Sequence, residues 1–147
     1  LPKGKRSRGL ETYTLGMHKA AENLAVAQRE NSVITLESDY KTRYEGFDPK
    51  SSESYIIFEF MQDKNMEQSV KLAKEVQLQF SSTAGRINKG VYQAGFLVLR
   101  ETVMPSILVE LGYISTPDEE NYLSSTAGQK ALAKSIYRGF KKYKDRL

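Results

Sequence analysis

The sequence predicts an α/β fold in which a layered sheet is covered by helices. Strand-like segments alternate with segments of helical periodicity along the 147 residues, and this alternation is typical of such sheets. A chain of this length is expected to form one domain. The strands are predicted at residues 9–15, 94–99 and 106–110, and the clearest helices at 17–30, 66–80 and 127–144.

The first part of the chain combines a strand, a helix and a long polar segment. Residues 9–15, GLETYTL, are rich in the Thr and Tyr that strands favour. Residues 17–30 place Met, Ala and Leu side chains on one helical face. The apolar run 32–36 has no clear type, and residues 37–54 are polar with Gly, Pro and Ser, which predicts an irregular excursion. A helix is predicted at 53–62, although YIIFEFM is β-prone in composition.

The second part begins with a well-patterned helix and continues with two apolar strands. Apolar residues of segment 66–80 recur at spacings of three and four, which predicts an amphipathic helix. Residues 81–90 contain several Ser and Gly and are predicted to form a loop. The segments AGFLVL at 94–99 and SILVE at 106–110 are both predicted to be buried strands.

Two capping patterns predict the last helices. Thr116 is followed by Pro117 and Glu119, which is a capping box with Pro at the first helical position. Thr126 and Gln129 repeat the pattern before the last helix, whose cationic end suits a helix C-terminus. The side chains that the last helix is expected to bury are Leu132, Ile136, Tyr137 and Phe140.

The composition argues against several classes of protein and of site. The net charge of +4 is too small to indicate a nucleic-acid partner. No apolar stretch approaches the roughly 20 residues of a membrane span, and the charged start LPKGKRSRG has no apolar segment behind it, so no signal peptide is visible. The chain has no Cys, which excludes disulfides, thiolate metal sites and Cys nucleophiles.

A carboxylate at the end of an apolar run is the strongest candidate for chemistry. In MPSILVELGYI, residues 104–114, Glu110 follows Ile107, Leu108 and Val109. Burying an ionised carboxylate is costly, and open α/β sheets bind ligands at the carboxyl ends of their strands. Glu110 is therefore a catalytic candidate, and the alternative is a strand-end Glu that reaches solvent or pairs with an Arg.

Three segments together resemble a known family. They are RGLETYTLG at 8–16, QAGFLVLRETVMPSILVELGYIST at 93–116 and PDEENYL at 117–123. This pattern is similar to that of the bacterial zinc-dependent N-acetylmuramoyl-L-alanine amidases of the Amidase_3 type, with weaker similarity between 31 and 65. The resemblance implies a twisted, mainly parallel sheet flanked by helices. It also implies hydrolysis of the amide that joins N-acetylmuramic acid to the L-alanine of the stem peptide.

The resemblance gives Glu110 a role. In such enzymes zinc polarises the scissile carbonyl and lowers the pKa of a bound water, and a carboxylate beside the metal takes the proton of that water and returns it to the leaving amine. The Glu of the VELG motif has this role in the family, and it corresponds to Glu110.

The two His and one Glu that hold the family's zinc precede the RGLETY strand, so this chain is expected to contain none of them. The ligands are expected upstream of Leu1, and the chain is expected to be an incomplete catalytic domain over 1–147.

Other polar residues carry open alternatives. His18 is the single histidine, and one His cannot make a three-ligand catalytic site. Glu11 either supports the site or forms a structural pair with a basic residue on a neighbouring strand, and the pair is favoured. Arg100 and Glu101 either contact substrate or form a surface ion pair, and the ion pair is favoured.

Residues 31–65 are a possible insertion, either an ordinary surface segment or a regulatory lid over the cleft that an activator protein displaces. The acidic side chains that could reach a metal from this segment are Glu37, Asp39, Glu45 and Asp48.

The alternative function is a non-catalytic module that binds cell-wall glycan or peptide, with Tyr92, Phe96 and Tyr113 as contacts. Nucleic-acid binding through the basic residues at 3–8 is disfavoured because no aromatic residues are interleaved with them. The expected partners are peptidoglycan and an activator protein, and the expected location is the cell envelope, periplasmic or extracellular. The chain is expected to fold well only with its missing half, a partner chain or as an unusual dimer.

Overall fold

A small mixed sheet lies at the centre of the molecule. The computed structural model describes residues 7–16, 21–60 and 65–147. Within these ranges the sheet has three strands in the order β2-β1-β3. The strands are β1 (Leu10–Leu15), β2 (Asn88–Ala94) and β3 (Leu108–Glu110).

The central strand, β1, has one parallel and one antiparallel neighbour. β1 runs parallel to β2, with Leu15 opposite Ala94, and antiparallel to β3, with Glu11 opposite Glu110. Helices cover both faces of this sheet, so the predicted α/β class is confirmed. The helices are α1 (Ala21–Asn31), α2 (Tyr40–Arg43), α3 (Ile57–Phe60), α4 (Met66–Ala84), α5 (Leu97–Arg100), α6 (Pro117–Ser124) and α7 (Thr126–Lys144).

The alternation of side chains along β1 divides the core into two clusters. Tyr13 and Leu15 belong to a cluster with α1 and with the segment that follows it, whereas Leu10 belongs to a second cluster with α4 and α7. Successive strand residues point to opposite faces, so each face of β1 meets one helical layer. Glu11 has the same parity as Tyr13 and therefore lies on the α1 side of the sheet.

The helix α7 packs on α4 through small residues, and this reverses part of the sequence prediction. Leu132 is buried as predicted, but Ile136, Tyr137 and Phe140 are 37%, 64% and 50% exposed, so their predicted burial is wrong. A β-carbon on Gly139 would lie 2.4 Å from the Cα of Val76 in α4. The buried stripe of α7 is Gly128, Leu132, Ser135, Gly139 and Tyr143.

The predicted strand at 94–99 is wrong in position. The helix α4 continues to Ala84, where Gly85 ends it in the left-handed region with a φ of 62°, so only 85–87 remain of the loop predicted at 81–90. The strand is 88–94, and residues 97–100 form α5. The buried side chain of Asn31 accepts a hydrogen bond from the Leu97 amide and donates one to the Gly95 carbonyl. These bonds fix the turn after β2, whose last described pair with β1 is Ala94 opposite Leu15.

Both C-terminal helices start near the predicted residues but with different caps. The Thr116 hydroxyl donates to the carbonyl of Ser7 instead of capping α6, and Glu119 pairs elsewhere. The cap of α7 is Ser125, whose hydroxyl accepts from the Gly128 amide. The predicted helices therefore exist, whereas both predicted capping boxes are wrong. Tertiary partners take the side chains of the first box, and in the second the neighbouring Ser125 is the cap while Gln129 donates to the Leu123 carbonyl.

The segment between α1 and α4 is folded against the sheet. Two short 3-10 helices, Ser32–Leu36 and Ser52–Ile56, begin the two halves of this segment. The second passes directly into α3. The predicted helix at 53–62 is therefore helical over 53–60, with a 3-10 first part, and residues 61–62 lie outside the described residues. No helix in the described part of the chain is long and apolar enough to cross a membrane. The side chains that this segment buries in the core are Ile34, Phe47, Tyr55 and Phe58.

Candidate functional site

The candidate site forms where the end of β3 meets the start of β1. Glu110 is the last residue of β3 and is half-buried. Its Cα partner across the antiparallel pair is Glu11, so the two carboxylates lie on the same face of the sheet. Leu108, two residues earlier on the same face, packs against the core cluster that contains Tyr13. The predicted strand thus places Glu110 beside a second carboxylate at a partly open position.

The carboxylate of Glu11 is surrounded by donors. Lys89 of β2 forms an ion pair with Oε1, and the hydroxyl of Tyr113 donates to the same oxygen. The hydroxyl of Tyr13 donates to Oε2 at 2.5 Å. Lys89 also donates to the Tyr113 hydroxyl at 2.6 Å and lies 4.6 Å from the centre of its ring. The predicted pairing of Glu11 with a basic residue on a neighbouring strand is confirmed.

The two carboxylates have opposite electrostatic environments. Burial alone would raise the pKa of Glu11, but hydrogen bonds from Lys89, Tyr113 and Tyr13 outweigh it and lower that pKa. Burial raises the pKa of Glu110, and the negative charges of Glu30 and Glu11 raise it further, partly offset by Arg29. These are the effects expected of desolvation, opposite charge and like charge.

The opposite pKa shifts of Glu11 and Glu110 have a chemical consequence. Within the described residues the Glu110 carboxylate has neither a hydrogen-bond donor nor an ion-pair partner. A carboxyl group with a raised pKa exchanges protons closer to neutral pH, as general acids and bases do. Glu110 is thus suited to move a proton, while Glu11 is held ionised.

The described residues do not by themselves fit a catalytic zinc. Across 7–16, 21–60 and 65–147 no group of three or more His, Asp or Glu side chains could hold a metal ion. Glu37 is bound by Arg43 at 2.8 Å and by the Tyr44 hydroxyl at 3.0 Å, which leaves it engaged in its own segment. His18 lies outside the described residues.

The remaining candidates from the sequence are the Arg100–Glu101 pair and three aromatic residues. Arg100 and Glu101 form the predicted ion pair at 2.7 Å, and Glu101 is 81% exposed. Of the three aromatic contacts considered for a binding module, Phe96 is fully buried and Tyr113 belongs to the Glu11 network. Tyr92 is 37% exposed, and its hydroxyl donates to the backbone carbonyl of Lys89.

Sequence reasoning missed Lys89 and the role of Tyr113. Lys89 falls in the segment predicted as a loop, whereas it lies in β2 at an irregularity in the register opposite Leu10 and Glu11. The β-prone VYQ that follows Gly90 is the available signal for a strand there. Nothing in the sequence joins Tyr113 to Glu11, because 102 positions separate them.

Comparison with known proteins identifies the family of this chain. The sequence model of the Amidase_3 family, described as N-acetylmuramoyl-L-alanine amidase, matches residues 2–142. The chain is 38% identical over 101 residues to the N-acetylmuramoyl-L-alanine amidase AmiC of Escherichia coli O6:H1, covering 64% of this chain and 23% of that protein. It is 24% identical over 140 residues to AmiA of Salmonella typhimurium, covering 94% of this chain and 47% of AmiA. The chain thus spans less than half the length of these two relatives.

Solved structures show the same fold. An N-acetylmuramoyl-L-alanine amidase from Clostridium difficile 630 superposes with a TM-score of 0.60 at 24% identity, covering 99% of this chain and 53% of that one. The CwlD amidase of Clostridioides difficile, solved in complex with the GerS lipoprotein, gives a TM-score of 0.52 at 26% identity, covering 57% of this chain and 44% of that one. The family match over nearly the whole chain establishes that this protein belongs to the Amidase_3 family of N-acetylmuramoyl-L-alanine amidases.

Proposed function

We propose that this chain forms part of the catalytic domain of a peptidoglycan hydrolase. The bond cleaved is the amide between N-acetylmuramic acid and the L-alanine of the stem peptide. The observation that carries the proposal is Glu110, a half-buried carboxylate with a raised pKa at the end of a strand in a chain of this family. The cell envelope is the proposed location, because that is where the substrate lies.

In the proposed reaction Glu110 acts twice. Its ionised form takes a proton from a water molecule, whose oxygen attacks the carbonyl carbon of the amide. The carbon–nitrogen bond then breaks, and protonated Glu110 gives the proton to the leaving amine of L-alanine. Burial and the nearby charges of Glu30 and Glu11 favour the protonated form that the second step needs.

Zinc is proposed as the cofactor of the whole protein and not of these residues alone. The family is generally zinc-dependent, but the described residues lack a suitable group of ligands. We propose that the ligands belong to a part of the protein that precedes this chain. Elemental analysis of the purified chain, beside a version extended upstream, tests this. Zinc in the extended version alone is the expected result, and stoichiometric zinc in the 147-residue chain would overturn it.

The catalytic proposal is tested with the protein that carries these residues together with its upstream part. Purified peptidoglycan is the substrate, and mass spectrometry detects stem peptides with a free L-alanine amine. Glu110→Gln is expected to lower kcat by about 100-fold or more, the usual size of an acid–base contribution. Glu101→Gln is the matched control, because it removes an exposed carboxylate outside the site. Equal activity of the wild-type and Glu110→Gln proteins would overturn the role of Glu110.

The same experiment addresses the binding-module alternative. If no stem peptide is released under any metal condition while the protein still sediments with insoluble peptidoglycan, the chain belongs to a non-catalytic binder. An activator is a further proposed partner, because the CwlD amidase was solved with a lipoprotein bound. Activity that rises on addition of an envelope lipoprotein from the same cell is the expected sign of such a partner.

A further inference from the structure

We infer that Glu11, held by Lys89, Tyr113 and Tyr13 opposite Glu110, is a positioning residue that contributes to how readily Glu110 takes up and releases a proton. The inference rests on the proposed role of Glu110 and extends it to a second carboxylate. Its basis is the register of the sheet, which places Glu11 and Glu110 directly opposite each other. Glu11 itself is only 8% exposed.

The position of the Glu11 charge is fixed by three donors. Its two oxygens are occupied by different groups, Oε1 by Lys89 and Tyr113 and Oε2 by Tyr13. The ring of Tyr13 is itself packed edge-on against Phe96, with centroids 5.2 Å apart. Each donor comes from a different part of the fold, namely β1, β2 and the residues after β3. The carboxylate is therefore held ionised at one place in the sheet.

A charge at that place acts on Glu110 directly. Side chains opposite each other in an antiparallel pair have Cβ atoms about 4.5–5.5 Å apart, and like charges there repel. The charged groups around Glu110 are Glu11 from β1 and Arg29 and Glu30 from α1. The groups that surround Glu11 in turn are Tyr13, Lys89 and Tyr113. Lys89 offsets part of the Glu11 charge, so the strength of the repulsion depends on both residues.

This arrangement predicts opposite effects from the two partners. Glu11→Gln removes the negative charge, so the pKa of Glu110 should fall. Lys89→Met removes the cation but keeps the length of the side chain, so the pKa of Glu110 should rise. A purely structural Glu11–Lys89 pair would produce loss of stability in both variants and no such pair of opposite shifts.

The test is a carbon-detected NMR titration of the Glu110 carboxyl in the protein that carries these residues together with its upstream part. The Glu110 midpoint is expected to fall by roughly half a pH unit or more in Glu11→Gln and to rise by a similar amount in Lys89→Met. Tyr113→Phe, which removes one hydrogen bond to Glu11 and keeps the ring, provides a milder third variant. Glu101→Gln is the control and should leave the midpoint in place, since its carboxylate is exposed and paired with Arg100.

The outcomes separate this inference from the proposed function. An unchanged Glu110 midpoint in both folded variants, Glu11→Gln and Lys89→Met, would overturn the inference, and so would shifts in the same direction. If the midpoint shifts as expected but Glu110→Gln keeps full amidase activity, the electrostatic coupling holds and the catalytic role fails. If both hold, the acid limb of kcat/KM should move to lower pH in Glu11→Gln, as the Glu110 midpoint does.

Discussion

Gly112 lies against the carboxylate of Glu119, so closely that a β-carbon at position 112 would be 2.7 Å from Oε2. The same oxygen accepts a hydrogen bond from Arg86 at 2.5 Å. Gly112 has a φ of +150°, which L residues rarely adopt. The turn that follows Glu110 is therefore held by a buried ion pair from α6 and from the α4–β2 connection.

Replacing Gly112 by Ala is expected to destabilise the fold by about 3–5 kcal/mol, because backbone strain and overpacking add. Chemical denaturation of the two proteins measures the loss. The control is Gly85→Ala, at a positive φ of 62° with open space around it. It is expected to cost about 1–2 kcal/mol, from backbone conformation alone. Equal losses at both positions would show that the approach of Glu119 does not constrain the turn.

The buried ion pair between Glu119 and Arg86 should be far more important for stability than its exposed neighbour. The two side chains are 4% and 14% exposed, and removing one partner of a buried pair leaves an uncompensated charge. Glu119→Gln is expected to cost about 3 kcal/mol in the free energy of unfolding.

Asp118 provides the matched control for this pair, because it forms an ion pair with Arg8 in which both side chains are largely exposed. Asp118→Asn is expected to cost less than about 1 kcal/mol. Similar losses for Asp118→Asn and Glu119→Gln in urea denaturation would contradict the greater contribution of the buried Glu119–Arg86 pair to stability.

Glu110 should lower the stability of the fold at neutral pH. Its pKa is raised above the ordinary value of 4.5, chiefly by burial, so the ionised form is disfavoured in the folded state. Below pH 4.5 the group is protonated in both states and costs nothing. As pH rises through the folded pKa, the cost develops fully, and Glu110→Gln removes it.

Thermal unfolding of Glu110→Gln at about pH 4 and pH 7.5 checks this sign. The variant should unfold at a higher temperature than the wild type at the upper pH and at nearly the same temperature at the lower pH. Glu101→Gln should show neither effect. A variant that is less stable than the wild type at neutral pH would mean that Glu110 is stabilised by its surroundings.

Gly139 should be intolerant of even a methyl group. Ala normally stabilises a helix interior by up to about 1 kcal/mol relative to Gly, but here the new β-carbon would meet the Cα of Val76 at 2.4 Å. Backbone atoms cannot move aside without separating α4 from α7. Gly139→Ala is therefore expected to lose about 1–3 kcal/mol.

Circular dichroism during urea denaturation measures the effect, and Tyr137→Ala is the comparison, because Tyr137 is 64% exposed on the same helix. That change is expected to alter stability by less than about 0.5 kcal/mol. A gain of stability in Gly139→Ala, or a large loss in Tyr137→Ala, would reverse the assignment of the buried face of α7.

Several features of the fold were predictable because they depend on local pattern. The spacing of Met66, Val70 and Phe80 predicts α4 correctly, and the GLETYTL segment predicts β1 within one residue. Glu110 is recognisable in the sequence as a catalytic candidate, because a carboxylate at the end of an apolar strand is unusual. This holds whichever strands lie beside it in the sheet. The family, too, was predicted from ordered motifs in the sequence.

Other features depend on which side chains meet across the fold. AGFLVL has the composition of a strand, but Asn31, 64 residues before Gly95, holds the turn that sends its second half into α5. Apolar content predicts that Ile136 and Phe140 are buried, yet Gly139 gives α7 its close approach to α4 and turns those residues outward. In each case a distant partner outweighs the local preference.

The sequence by itself therefore determined the α/β class, the family and the identity of Glu110 as the residue to examine. Tertiary structure decided the environment of that residue: the carboxylate of Glu11 opposite it, and Lys89 and Tyr113 around Glu11. The physical reason is that the helical or strand periodicity of a segment, and the face that it buries, depend on residues close together in the sequence. The pKa of a carboxyl group is instead set by charges and donors that the sheet register brings together from distant positions.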